Sequence, residues 1–95
     1  MSIMPSNERL RIFVYGTVQG VFFRRSAKQE ADKLGVFGFA RNLEDGSVEM
    51  LVEGKKEQLQ KLLEWCWKGP KDAKVTSVEF MWSEAYNIFE SFKIA

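Results

Sequence analysis

Two short stretches hold the residue types that could do chemistry: Gly16-Thr17-Val18-Gln19-Gly20-Val21 with Arg24 just beyond it, and Asn42 at the end of Gly38-Phe39-Ala40-Arg41-Asn42. Gly16 and Gly20 permit backbone angles closed to other residues, so the amide N–H groups along this loop are able to converge on one anion. A helix starting after the loop adds unpaired donors and the positive end of its dipole. Arg24, always protonated and planar, completes such a cradle by holding two phosphate oxygens at once. The same residues are equally compatible with a plain tight turn beside a solvated arginine. Asn42 both donates and accepts, which suits it to orienting a water molecule toward an electrophile, although it is no base at ordinary pH. An asparagine shortly before Asp45-Gly46 is also a common turn former.

Composition narrows the chemistry further. The chain has no histidine and a single cysteine, Cys66, which removes the commonest general base and the commonest zinc ligand and leaves no internal disulfide. Whatever chemistry occurs here must use other groups. A formal charge of +1 gives no whole-molecule attraction for nucleic acid, so no nucleic-acid partner is expected and any anion site must be local. No segment approaches the roughly 18 consecutive apolar residues of a membrane-spanning helix, and no charged leader precedes an apolar run. The expected setting is the reducing cytoplasm, without a membrane partner, and the expected state a monomer.

The elements that would position these groups can be read from periodicity. Residues 1–8, with Pro5, Ser6 and Asn7, show none and read as a flexible arm; residues 9–95 form the one domain. Leu10, Ile12 and Val14 alternate with Arg9, Arg11 and Phe13 in a first strand over 9–15, which Gly16 ends. Phe23, Ala27, Ala31 and Leu34 make one stripe of a helix stopping at Gly35. Val36 to Leu43 and Ser47 to Glu53 read as strands joined by a hairpin at Asp45-Gly46. Leu59, Leu62, Leu63 and Cys66 stripe a second helix from about Lys56 to Gly69-Pro70, with Cys66 as inert core. Thr76, Val78, Phe80 and Trp82 mark a fourth strand, and Phe92 and Ile94 a short closing one.

That order predicts an α+β, ferredoxin-like βαββαβ sandwich: an antiparallel four-stranded sheet plus a short C-terminal strand, with two helices on one face. The other face is then left near water, and the two-sided apolar character of Val36 to Ala40 has no explanation in that pattern.

Gly16-Thr17-Val18-Gln19-Gly20-Val21-Phe22-Phe23-Arg24, and Gly38-Phe39-Ala40-Arg41-Asn42 through Asp45-Gly46-Ser47-Val48-Glu49, resemble the two signatures of the acylphosphatase family, in the family's order and spacing. The likeness runs from about Arg11 to Phe92-Lys93-Ile94. It implies a ferredoxin-like fold, no cofactor, and hydrolysis of a small-molecule acyl phosphate to a carboxylate and inorganic phosphate. It further implies that the amides of Thr17 to Val21 bind phosphate, that Arg24 holds its oxygens and that Asn42 positions the attacking water. The leaving carboxylate has a conjugate acid of pKa near ~4, so the missing histidine is no obstacle. With no side chain marked as base, a bound phosphate oxygen is expected to accept the proton. The alternative is a non-catalytic module of the same fold that binds an anion or RNA. Phe37-Gly38-Phe39 is its faint aromatic signal, with no aromatic pair to match it on Leu10 to Val14.

Overall fold

The computed structural model describes residues 7–95. The arm expected over 1–8 lies outside the described residues except for Asn7 and Glu8, and Glu8 already opens the first strand. The elements run β1 (Glu8–Thr17), α1 (Phe23–Leu34), β2 (Phe37–Asn42), β3 (Val48–Gly54), α2 (Lys56–Lys68), β4 (Lys74–Glu84) and β5 (Phe92–Ile94). They form one sheet in the order β4-β1-β3-β2-β5, the expected ferredoxin-like arrangement. Antiparallel pairing holds for β1 to β4, whereas β5 joins β2 in parallel, with Gly38 opposite Phe92 and Ala40 opposite Ile94.

The period-two pattern sets the register. Leu10, Ile12 and Val14 of β1 lie opposite Val52, Met50 and Val48 of β3, so all six point to one face. There they are fully buried beneath Phe23, Ala27 and Ala31 of α1 and Leu59, Leu62 and Cys66 of α2. Each such side chain removed from water contributes about 1.5–3 kcal/mol. The helices meet through the rings of Phe23 and Trp65, 5.2 Å apart. Burial also pushes the Cys66 thiol pKa up, so this cysteine is an unreactive core residue. At the end of α1 Gly35 takes φ 70°. Its N–H reaches the Asp32 carbonyl and that of Val36 the Ala31 carbonyl, the paired bonds that close a helix on a left-handed residue.

The opposite face is not the open one that the alternation predicts. Glu49 and Glu53 of β3 point there, yet they are only 2% and 4% exposed. The reason is the segment 85–91, which leaves β4 at one edge and reaches β5 at the other. Tyr86 and Asn87 donate their main-chain N–H groups to the Glu53 carboxylate, which also accepts from Arg9 Nε at 2.8 Å. The Arg9 guanidinium lies over the Tyr86 ring, 3.9 Å from its centroid. Phe39 meets Phe89 edge-on, which explains the apolar residue on the second side of β2. Glu49 is held between Arg11 and Arg41.

Candidate active site

β1 extends two residues past its expected end, so Gly16 and Thr17 are strand residues paired with Val75 and Lys74 after a register shift at Tyr15/Gly16. Gly16 is required by closeness: at φ 123° a Cβ there would sit 2.1 Å from the Lys74 carbonyl oxygen. The loop proper is Val18 to Phe22. Val18 anchors it by burying its side chain in the core. Gly20 turns with φ 76°, and Phe22 caps α1 in the left-handed region, φ 61° and ψ 27°, with no side-chain capping bond. Among the described residues, the amides of Gln19 to Phe22 find no acceptor in the protein. These donors, at the positive end of α1, are therefore free for an external anion.

Phe23 fixes the start of α1. Its ring is buried against Trp65, so the first turn of the helix is pinned and Arg24 emerges beside the loop. Arg24 Nη1 donates to a main-chain oxygen of Ala95 at 2.8 Å, and one helical turn on, Lys28 Nζ donates to the Phe92 carbonyl at 2.9 Å. The Ala95 N–H in turn reaches the Ala40 carbonyl. One guanidinium hydrogen is thus engaged, and the others remain for a ligand. Asn42, exposed, is the last residue of β2.

A cavity of about 330 Å³ gathers these groups. Of the residues singled out from the sequence, Val18, Gly20, Arg24 and Asn42 line it. Gly16, Thr17, Gln19 and Val21 do not: the first two sit in the β1–β4 ladder, and Val21 packs against the core. Gln19 instead aims its carboxamide at the β2–β3 hairpin. Four lining groups were not anticipated as site residues: Phe22, Phe23, Arg25 and Ile94. Phe22 had a signal, because the helical stripe that buries Phe23 turns its neighbour outward. Ile94 had none, since nothing local says that β5 docks beside β2. Arg41 adjoins Asn42 in sequence but pairs with Glu49 on the other sheet face.

Among the described residues no Asp or Glu side chain lines the cavity. Nearby Asp45 is committed to the hairpin, where Oδ1 accepts from the Ser47 hydroxyl and from its N–H at 2.9 Å. Those bonds hold its pKa below the ordinary aspartate value, making it a poor base. Among the described residues no group of three His, Cys, Asp or Glu stands close enough to hold a metal ion, and no helix is long and apolar enough to cross a membrane.

The family model described as acylphosphatase matches residues 10–94. The chain is 44% identical over 90 residues to an acylphosphatase of Pelotomaculum thermopropionicum, covering 95% of this chain and 98% of that protein. It is 55% identical over 73 residues to one from Alkalilimnicola ehrlichii, covering 77% and 82%. The crystal structure of acylphosphatase from Bacillus subtilis superposes with a TM-score of 0.89 at 38% identity, over 93% of this chain and 98% of that one.

Proposed function

Since the chain belongs to the acylphosphatase family and is thus a hydrolase of acyl phosphates, we propose that the cavity between the 18–22 loop and Asn42 is where it works. The phosphate of a small-molecule acyl phosphate sits against the loop amides and the Arg24 guanidinium, and Asn42 orients the water that attacks it. The supporting observation is convergence: Arg24 and Asn42 come from different elements yet line one cavity, beside amides that have no acceptor in the protein.

These few groups suffice because phosphoryl chemistry asks a protein mainly for positioning and for charge on the phosphoryl oxygens. Arg24 and the amides supply the charge in advance. The leaving carboxylate needs no proton. A phosphate oxygen takes the one released by water, because no Asp or Glu side chain lines the cavity and Asp45 is committed to Ser47. Every group of the site comes from one chain, so a monomer is sufficient. The single buried, unpaired Cys66 fits a reducing, cytoplasmic setting. Segment 85–91 covers the sheet face that an RNA-binding relative of this fold would need, which favours a chain without a nucleic-acid partner.

The test is hydrolysis of benzoyl phosphate with and without a metal chelator, in the parent and two variants. Activity should survive chelation. Arg24→Ala should weaken inhibition by inorganic phosphate on the order of a hundredfold, as two charge-assisted hydrogen bonds are lost. Asn42→Ala should lower kcat by roughly a hundredfold while phosphate affinity stays near the parent's. Parent-like turnover in Asn42→Ala would remove that residue from the mechanism.

A further inference from the structure

The two halves of the site share no hydrogen-bond ladder. The loop comes after β1, Asn42 ends β2, and β3 lies between those strands in the sheet. A single side chain crosses the gap. Gln19 Nε2 donates one hydrogen to the Leu43 carbonyl at 2.7 Å and the other to the Ser47 carbonyl at 2.9 Å. Leu43 is the residue directly after Asn42, and its own N–H also donates to the Ser47 carbonyl. Among the described residues no other hydrogen bond joins 18–22 to 42–47. The carboxamide is half-buried, both its hydrogens are used, and their directions are fixed in one plane. The hairpin end is thereby held at one distance and one angle from the loop.

We propose that Gln19 is a positioning residue: through its two bonds to the hairpin it sets where the Asn42 carboxamide stands relative to the phosphate loop. The proposal rests on the roles assigned above to the loop and to Asn42. It places the effect of Gln19 on turnover and not on phosphate binding, because the loop keeps its amides and Arg24 whichever way the hairpin settles. Misplacement of a water-orienting group by about 1 Å is enough to cost on the order of a hundredfold in rate.

A double-mutant cycle tests this. kcat and KM for benzoyl phosphate, and inhibition by inorganic phosphate, are measured for the parent, Gln19→Met, Asn42→Ala and the double variant, with circular dichroism to confirm folding. Gln19→Met should lower kcat roughly tenfold or more, with KM and phosphate inhibition within about twofold of the parent's. In the Asn42→Ala background the same substitution should cost nothing further. Equal losses in both backgrounds, or a loss of phosphate affinity at unchanged kcat, would overturn the role of Gln19 alone. Parent-like kcat in Asn42→Ala would overturn the reading beneath it as well. Gln19→Glu supplies a second readout. An ionised carboxylate has no donor for the two carbonyls, whereas its protonated form regains one. Its kcat relative to the parent's should therefore rise as pH falls toward the carboxylate range, and a flat ratio would sink the proposal.

Discussion

The two faces of the sheet are built on different principles. Under the helices, Leu10, Ile12, Val14, Val48, Met50 and Val52 belong to one cluster of buried apolar side chains, and apolar contacts are non-directional: volume matters more than identity. The other face carries specific polar pairs beside its Phe39–Phe89 contact. Arg9 meets Glu53, Glu49 meets both Arg11 and Arg41, and the Glu53 carboxylate also holds two main-chain amides of segment 85–91. The first face holds the domain together. The second directs one stretch of chain across the sheet, and so delivers Ile94 to the cavity and Ala95 to Arg24.

Substitutions on each face break or sharpen that contrast. The largest effect belongs to the helix face: Leu62→Ala, at a fully buried position, should destabilise by about 3 kcal/mol through lost burial and the cavity left behind, read as a lowered denaturant midpoint. Glu53→Gln should lose less, about 2 kcal/mol, as Arg9 keeps a neutral acceptor in place of a charged one. Replacing Arg9 as well, in the double variant Arg9→Met with Glu53→Gln, should recover part of that loss by removing the guanidinium left without its carboxylate, while a carboxamide oxygen still accepts from segment 85–91. A double variant no more stable than Glu53→Gln would show instead that the second face stabilises as the first does.

The same contrast explains what could be read from the sequence. Both helices and the paired strands were legible because their marks are local: a stripe, an alternation, a stop at Gly35 or Gly69-Pro70, a turn at Asp45-Gly46. The covered second face was not. Glu53 reads as a solvated strand residue until its partners are known, and they lie 44, 33 and 34 residues away. The site divides likewise. Arg24 and Asn42 stand out by type and place, whereas Ile94 reaches the cavity only through the parallel docking of β5. Gln19 stands out in the sequence for its backbone, yet its side chain makes the long-range contact, because a loop pattern says nothing about where a carboxamide will find carbonyls 24 and 28 residues on.

The smallest expected effect is also the one most particular to the second face. Burial alone would raise the Glu53 pKa, but the amide of Tyr86, the Arg9 guanidinium and the amide of Asn87 together outweigh it and hold it below the ordinary glutamate value of 4.5. A carboxyl whose pKa is lower in the folded chain than in the unfolded one binds its proton more readily when unfolded. Its contribution to stability is therefore complete above about pH 4.5 to 5.5 and is lost as pH falls through the folded value. Unfolding midpoints measured from pH 7 down to pH 3 should show the gap between parent and Glu53→Gln narrowing at the acid end, since only the parent loses a charge there. The helix face has no titrating group among its core residues in this range, so Leu62→Ala should keep its full deficit across the same series. A Leu62→Ala deficit that shrank in parallel with that of Glu53→Gln would mean that acid loosens the whole fold, and that the two faces are not energetically distinct.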